Sequence, residues 1–334
     1  MNCVIHGSIP LTDQGVIDLS KEMNIFMNKD TKIEFRNRVA IVTGAGGGLG
    51  RQHALALAAR GAKVVVNDFG RPSADSDTLT AADTVVNEIL SAGGMAIASN
   101  ASVTDETAIA TMVKDVMERW GRIDILINNA GILRDKSFAK MSLDDFRLVL
   151  DVHVMGAVIC TKAVWDIMRA QNYGRVVMTT SSSGLYGNFG QANYGTAKMA
   201  LVGLMQTLSI EGAKNNIRVN CLAPTASTQM TEGLWSNEII QAFRPEFVTP
   251  AVLVLLAEDA PNRTILCAGA GAFEAAHITL TGGAYIGRGL DAAELLREHL
   301  SQVTDRNSEI VPLDAVAQGT NEGTKAAVFS TAGI

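Results

Sequence analysis

The sequence predicts a single α/β domain with a doubly wound, seven-stranded parallel sheet and helices on both of its faces. From Val39 onward, short runs rich in β-branched residues alternate with longer amphipathic stretches, which is the pattern of parallel strands joined by crossover helices. Several of the short runs are almost entirely apolar, as expected for strands that helices cover on both faces.

The predicted elements follow one another in regular order. The strands are Val39–Val42, Lys63–Asn67, Met95–Ser99, Ile123–Asn128, Arg175–Thr180, Arg218–Ala223 and His277–Leu280. The helices are Gln52–Arg60, Ala81–Ser91, Glu106–Trp120, Asp144–Gln171, Asn193–Lys214 and, after the sheet, Ala292–Val303. The segment Thr228–Asp259 contains two prolines and is expected to form short helices outside this repeat, where an insertion can shape a substrate pocket.

Three regions are predicted along the chain. Residues 1–35 form a leader, expected to be a flexible tail, residues 36–290 form the α/β domain, and residues 291–334 form a helix and a tail. No second globular domain and no internal repeat is predicted.

The composition excludes several classes of function. The chain has 334 residues and a formal charge of -6, which gives nucleic acid no electrostatic reason to bind. The four cysteines and five histidines are scattered, so no metal site is predicted. There is no export signal and no run of about 18 uncharged apolar residues, so we expect a reduced, cytoplasmic protein without a membrane partner.

A glycine-rich turn follows the first strand directly. The segment Thr43–Gly50 reads TGAGGGLG and runs into a helical stretch. Gly44, Gly48 and Gly50 let the backbone turn tightly and approach a pyrophosphate, which the first amides of the helix can bind. Thr43 and Leu49 belong to the same predicted site. A purely structural turn stays the alternative, since the spacing is GxxxGxG.

An acidic residue, Asp68, ends the second strand about 20 residues after that turn. A carboxylate at this place can accept hydrogen bonds from the hydroxyls of an adenosine ribose, and it repels a 2′-phosphate. The sequence therefore predicts NAD as the cofactor in preference to NADP. The alternative for Asp68 is a turn cap after the strand.

A tyrosine and a lysine four residues apart, Tyr194 and Lys198, share one helix face. A nearby ammonium and a positively charged nicotinamide ring are expected to lower the pKa of the phenol, so that it acts as a general base. Ser181 follows the strand Arg175–Thr180 and is expected to hold the substrate oxygen. Each of these residues alone is common by chance; their order along the chain favours a dehydrogenase site.

The same residues resemble the classical short-chain dehydrogenases/reductases. The resemblance covers residues 36–290 through Thr43–Gly50, Asn128–Gly131, Ser181, Tyr194 and Lys198. It implies a Rossmann fold and oxidation of a hydroxyl with NAD. More narrowly, Gly184–Tyr194 is similar to the (3R)-hydroxyacyl-CoA dehydrogenase units of multifunctional enzymes type 2, which implies 3-hydroxyacyl-CoA thioesters as substrates.

The resemblance also assigns further cofactor contacts. It implies that Asn129, Ala130 and Gly131 lie beside the dinucleotide and that Ser102 lies near the adenine. It places Ala226, Ser227 and Thr228, after Pro224, near the nicotinamide amide. The family commonly has an acid just before the serine, and here that residue is Ala101, so one contact to the base is expected to be missing.

The fourth catalytic position differs from the general family pattern. An asparagine usually lies three residues before a glycine here, and this chain has His153 before Gly156. The narrower group also has histidine at this position, where it is expected to anchor a water next to Lys198; a structural core histidine is the alternative. The resemblance further implies a homodimer or a homotetramer.

Three functional hypotheses follow from these residues. The first is NAD-dependent oxidation of (3R)-3-hydroxyacyl-CoA to 3-oxoacyl-CoA. The second is a dehydrogenase or reductase of another secondary alcohol or ketone, such as a steroid or a 3-oxoacyl thioester. The third is a non-catalytic NAD-binding sensor or scaffold, which the presence of both Tyr194 and Lys198 disfavours.

Overall fold

The computed structural model describes residues 32–70, 72–73, 76–227 and 236–327. The chain divides into two compact units, Met1–Ile33 and Glu34–Ile334. Almost all of the first unit lies outside the described residues, so the predicted leader over residues 1–35 stays a prediction. The boundaries at residues 290 and 291 are likewise predictions that no observation tests.

The second unit is built on one eight-stranded sheet, which confirms the predicted fold class. The strands run in the spatial order β10-β9-β8-β7-β6-β1-β2-β5, and every neighbouring pair is parallel except β9 and β10. They are β1 (Val39–Thr43), β2 (Lys63–Asn67), β5 (Met95–Ser99), β6 (Ile125–Asn128), β7 (Gly174–Thr179), β8 (Ile217–Thr225), β9 (Ile265–Gly269) and β10 (Ala272–Ala276). A separate antiparallel pair, β3 (Pro72–Ser73) and β4 (Ser76–Thr80), follows β2.

The last strand differs from the prediction. The seventh parallel strand is Ile265–Gly269, and the predicted strand His277–Leu280 lies beyond the sheet, where Leu280 forms one isolated bridge with Ile310. Ile265 and Ala268 are buried, whereas Ile278 is exposed. The strand that is buried next to β8 is therefore Ile265–Gly269, which has fewer β-branched residues than the predicted strand His277–Leu280. The sheet also has an antiparallel edge strand, β10, in addition to the seven parallel strands.

The described helices cross between the strands much as predicted. They are α1 (Gly48–Ala58), α2 (Ala81–Ser91), α3 (Glu106–Trp120), α4 (Leu143–Leu150), α5 (Gly156–Gln171), α6 (Ser182–Tyr186), α7 (Ala192–Gly212), α8 (Asn237–Ala242), α9 (Thr249–Leu256), α10 (Ala292–Glu298), α11 (Leu300–Val303) and α12 (Val316–Lys325). The predicted helix Asp144–Gln171 consists of α4 and α5 joined by a π-turn at Asp151–Met155. The predicted helix Ala292–Val303 is two short helices, and α12 was not predicted.

The core lies between the sheet and the helices that flank it. All five residues of β1 and all six of β7 are buried, because helices cover both faces of the sheet there. One large cluster joins these strands to α3, α5 and α7 through residues such as Val116, Val164 and Leu201. This packing fixes the carboxyl ends of the strands, where ligands bind in folds of this kind.

Two helical stretches, Leu143–Gln171 and Asn237–Leu256, are long and apolar enough to cross a membrane by length and composition alone. Core helices of soluble proteins pass the same test. The first stretch buries Cys160, Val164 and Met168 in the core, which accounts for its apolar residues. The second is interrupted by a 3-10 turn at Pro245–Phe247. The absence of a membrane partner stays a prediction.

Candidate active site

A cleft of about 240 Å³ opens at the carboxyl ends of the parallel strands and joins the glycine turn to the predicted reacting residues. Its lining includes nine of the predicted site residues. These are Gly44, Gly48, Leu49, Asp68, Asn129, Gly131, Tyr194 and Lys198, together with His153. The sequence did not single out four other lining residues, which are Gly47, Thr179, Thr180 and Pro224.

The glycine turn has the backbone that the sequence predicts for a phosphate site. Gly44 has φ of 61°, and a Cβ on it would lie 2.8 Å from the Cα of Ala130, so only glycine fits. The helix α1 starts at Gly48, and Gly47 before it supplies no side-chain cap. The first amides of α1 therefore face the cleft as donors for an anion.

The side chains of Thr43 and Asn129 hold this turn in place. The hydroxyl of Thr43 accepts hydrogen bonds from the backbone amides of Asn129 and Ala130, each at 3.0 Å. The amide nitrogen of Asn129 donates to the carbonyl oxygens of Thr43 and Gly44 at 3.0 and 3.1 Å. Thr43 at the end of β1 and Asn129 just after the neighbouring strand β6 thus shape the turn together.

The carboxylate of Asp68 is fixed before any ribose reaches it. One oxygen accepts from the backbone amide of Gly46 at 2.9 Å, and the other accepts from the amide of Gly70 at 3.0 Å. The Asp68 side chain therefore lies at the edge of the cleft, beside the glycine turn. The glycine turn and this carboxylate together fit the pyrophosphate and the ribose of a dinucleotide.

Tyr194, Lys198 and Ser181 come together at the other end of the cleft. The Nζ atom of Lys198 lies 5.4 Å from the centre of the Tyr194 ring and donates to the carbonyl oxygen of Thr179 at 2.6 Å. Ser181 caps the start of the short helix α6 by accepting from the backbone amide of Ser183 at 3.2 Å, and its hydroxyl is close enough to Tyr194 to lower the pKa of the phenol. The three residues are thus held by β7 and α7, as the sequence predicts.

Within the protein alone, the pKa of Tyr194 is raised, whereas the predicted lowering also involves the charge of a bound nicotinamide ring and stays a prediction. Burial raises the pKa of this phenol and outweighs the hydrogen bond from Ser181, which lowers it; the charge of Asp135 raises it further. Burial also lowers the pKa of Lys198 to about 7. The protein part of the site therefore favours a neutral phenol, and Ser181 is the group that opposes this.

His153 lies directly beside Tyr194, with the two ring centres 5.3 Å apart in an edge-to-face arrangement. It is 3% exposed and sits in the π-turn that joins α4 to α5. Burial lowers its pKa to about 3, and the nearby charge of Lys198 lowers it as well. The imidazole is therefore neutral at physiological pH, and π-turns inside helices often mark functional sites.

Ser102, Ala226 and Ser227, which were predicted to contact the cofactor, do not line the cleft. Ser102 follows β5 and bonds Thr104 through its hydroxyl at 2.8 Å. Ala226 is buried just after β8, and the amide of Ser227 donates to the carbonyl oxygen of Phe243. Thr228 lies outside the described residues. Their assigned roles toward a cofactor stay predictions.

A hydrogen-bonded clamp around Gln191 was not predicted. The Gln191 side chain donates to Asp135 at 2.7 Å and accepts from Ser183 at 2.8 Å and Asn188 at 3.0 Å. It thereby ties the loop after β6 to the segment before Tyr194. No local pattern marks such a contact, because Asp135 and Gln191 are separated by 56 positions.

No metal centre was predicted. Among the residues that the structure describes, no three His, Cys, Asp or Glu side chains come together as ligands.

The family model for short chain dehydrogenases matches residues 38–239 of this chain. The chain belongs to the short-chain dehydrogenase family. The match places residues 38–239 within a family of dehydrogenases.

Comparison with curated and solved proteins gives nearer relatives. The chain is 45% identical over 298 residues to peroxisomal multifunctional enzyme type 2 of Drosophila melanogaster, a match that covers 88% of this chain and 49% of the relative. The full-length structure of the Drosophila enzyme matches with a TM-score of 0.73 and 40% identity, over 89% of this chain and 50% of that one. This chain thus spans about half the length of that relative.

Two solved structures match over nearly their whole length. A short chain dehydrogenase from Mycobacterium avium is 35% identical with a TM-score of 0.71, and the match covers 81% of this chain and 96% of that one. A 7α-hydroxysteroid dehydrogenase, solved with NADH and 7-oxo glycochenodeoxycholic acid, is 30% identical with a TM-score of 0.64, over 72% and 95%. Both likenesses are to dehydrogenases of this family.

Proposed function

We propose that this protein oxidises (3R)-3-hydroxyacyl-CoA thioesters to 3-oxoacyl-CoA with NAD. The observation that carries the proposal is that the glycine turn, Asp68, Tyr194 and Lys198 all line the same cleft. It gives one ligand access to a phosphate cradle at one end and to a buried phenol at the other.

The choice of NAD rests on Asp68. Its carboxylate is held beside the turn by two backbone amides, at the place where a ribose 2′-hydroxyl would donate to it. A 2′-phosphate there would place two anions in contact, which disfavours NADP. The presence of NADH in the related 7α-hydroxysteroid dehydrogenase structure agrees with this choice.

The proposed chemistry uses Tyr194 as the general base. When bound, NAD supplies the acceptor for the hydride that leaves the carbinol carbon. Ser181 donates a hydrogen bond to the substrate oxygen, and the phenolate of Tyr194 takes the hydroxyl proton. Lys198, which Thr179 holds at 2.6 Å, places its charge beside that ring and stabilises the phenolate.

The thioester substrate rests on the likeness of Gly184–Tyr194 to the hydroxyacyl-CoA dehydrogenase units and on the Drosophila relative. A second candidate is a dehydrogenase of steroids or other secondary alcohols, which the 7α-hydroxysteroid dehydrogenase structure favours. A homodimer or homotetramer and a cytoplasmic location are also proposed. The location is open to test because the Drosophila relative is named as peroxisomal, whereas the M. avium structure is bacterial.

Substituting Tyr194→Phe tests the chemistry. We expect the rate of oxidation of a 3-hydroxyacyl-CoA with NAD to fall by about 10²–10⁴-fold, because the general base is lost while the ring stays. The matched control is Tyr285→Phe, which removes the hydroxyl of an exposed tyrosine outside the cleft and should leave the rate unchanged. Equal rates in native protein and Tyr194→Phe would refute the mechanism.

The substrate class is tested separately with the native protein. Initial rates with NAD are measured for 3-hydroxyacyl-CoA thioesters of increasing chain length and for a 7α-hydroxysteroid. Turnover of the thioesters alone supports the proposal. Turnover of the steroid alone, with none of any thioester, would assign the second candidate instead.

A further inference from the structure

A second, small cavity lies against His153. Its volume is about 10 Å³, and its wall includes Asn128, His153 and Ala157. A space of this size is about that of one water molecule. Tyr194 and Lys198 do not line it.

Two polar atoms at this wall have no hydrogen-bond partner among the described residues. They are Oδ1 of Asn128 and Nδ1 of His153. Asn128 is 6% exposed and His153 is 3% exposed, so bulk water does not reach either atom. An unpaired buried acceptor or donor costs about 1–3 kcal/mol, and native proteins usually satisfy such groups with protein or with an ordered water.

The orientation of both side chains is set by their other contacts. The amide nitrogen of Asn128 donates to the hydroxyl of Thr161 at 3.0 Å and approaches the sulfur of Met178 at 3.2 Å, which fixes its oxygen as the atom without a partner. The Nε2 atom of His153 lies 3.0 Å from the amide nitrogen and 2.8 Å from the carbonyl oxygen of Ile132. In either tautomer Nδ1 still needs a partner.

We propose that one water molecule is bound in this cavity between Asn128 and His153. It donates one hydrogen to Oδ1 of Asn128, and it either donates to or accepts from Nδ1 of His153, according to the tautomer. Water is the ligand that fits because the cavity has room for a single small molecule and the two unpaired atoms are both polar.

Through this water, His153 acts as a positioning residue for the cofactor cleft. A Cβ on Gly131 would overlap the His153 ring, so the ring packs directly on the backbone of the cleft wall. The same ring bonds the backbone of Ile132 and meets Tyr194 edge on. A His153 ring that the water fixes at Nδ1 therefore holds the Gly131–Ile132 backbone and the face of Tyr194 in place for the dinucleotide.

The first test is a crystal structure of the native protein at a resolution that shows ordered water. We expect one peak within about 2.7–3.2 Å of both Oδ1 of Asn128 and Nδ1 of His153. A clear map with no peak there, or with the two side chains bonded to each other directly, would overturn the proposal. This outcome does not depend on any substrate.

The second test fills the cavity with Ala157→Val and compares it with Ala170→Val, an exposed position on the same helix. We expect the Kd for NAD to rise about fivefold in Ala157→Val only, which corresponds to one hydrogen bond of about 1 kcal/mol. In protein with ¹⁵N-labelled histidine, the Nδ1 resonance of His153 should shift in Ala157→Val while Nε2 stays.

An unchanged Kd and an unchanged Nδ1 resonance in folded Ala157→Val would remove the positioning role of the water. The proposal concerns the cofactor and not the thioester, so it stands or falls separately from the substrate class. If Ala157→Val does not fold, the native crystal structure still decides whether the water is bound.

Discussion

At the scale of single residues, the carboxylate of Asp68 is expected to decide which dinucleotide is used. Asp68→Ser removes the group that would meet a 2′-phosphate, so kcat/KM should fall with NAD and rise with NADP. We expect the ratio of the two to move at least about tenfold toward NADP, or about 1.4 kcal/mol.

The matched control for this change is Asp115→Ser, which removes an exposed carboxylate from α3 that does not line the cleft. Initial rates with both dinucleotides are the measurement. An unaltered ratio in Asp68→Ser would mean that another group selects the cofactor.

The pH dependence of oxidation is a second prediction at this scale. The phenol of Tyr194 must lose its proton to act as a base, and burial raises its pKa. The rate should therefore increase with pH on the alkaline side of neutrality. Ser181→Ala should move this increase to higher pH, because the Ser181 hydrogen bond lowers the pKa of Tyr194.

The measurement is kcat/KM between about pH 6 and about pH 11, a range that includes the ordinary pKa values of tyrosine and lysine. A profile that falls with pH, or one that Ser181→Ala moves to lower pH, would contradict the assignment of Tyr194 as the base.

Residue types and their order were enough to predict most of the cleft, because the family pattern places the glycine turn, Asp68 and Asn129 at strand ends and places Tyr194 and Lys198 on one helix face. Spacing could not show that burial raises the pKa of Tyr194, since burial is a property of the packed molecule. The fit of His153 against Gly131 was likewise hidden, because it joins a π-turn to the loop after β6.

At the scale of secondary-structure elements, Gln191 joins the loop after β6 to the segment that precedes the helix carrying Tyr194. Gln191→Ala removes its bonds to Asp135 and Ser183, each worth about 1 kcal/mol. We expect kcat/KM to fall about tenfold, with the larger part in the KM for the alcohol, because the loop after β6 loses its tie. Steady-state kinetics measure this.

Asn188→Ala is the matched control, because it removes a single contact to the same Gln191 side chain. It should lower kcat/KM by no more than about fivefold. A smaller loss in Gln191→Ala than in Asn188→Ala would show that the clamp does not position the site.

The predicted bounds were accurate for helices and strands that the local sequence pattern determines, and less accurate for those that depend on distant parts of the chain. The strands Lys63–Asn67 and Met95–Ser99 and the helices Ala81–Ser91 and Glu106–Trp120 have the predicted bounds. Ile265–Gly269 was missed because its place in the sheet depends on pairing with β8, 44 positions earlier for Cys221 and Ile265. Non-local pairing of this kind leaves little mark on the sequence.

At the scale of the whole molecule, two buried histidines make the fold sensitive to acid. Burial lowers the pKa of both His53 and His153 to about 3, below the ordinary value of 6.5 that applies in the unfolded chain. The stability they contribute is complete above pH 6.5 and is lost as pH falls toward 3, because the unfolded chain then binds protons that the fold excludes.

We expect the free energy of unfolding to be lower near pH 5.5 than near pH 7.5 by up to about 1.4 kcal/mol for each histidine. Urea unfolding at the two pH values measures this difference. His53→Leu should roughly halve it, although loss of the bond to Thr249 lowers stability at both pH values. Equal stability at the two pH values would contradict the prediction.

The hydrogen bonds from Asn129 to the carbonyl oxygens of Thr43 and Gly44 affect how the protein folds during translation. The turn and the side chain that shapes it are 85 and 86 positions apart, so they are synthesised at different times. A nascent chain that ends before Asn129 contains the whole glycine turn but lacks the side chain that holds this turn in place. Dinucleotide affinity is therefore gained during translation only after β6 has emerged and joined β1.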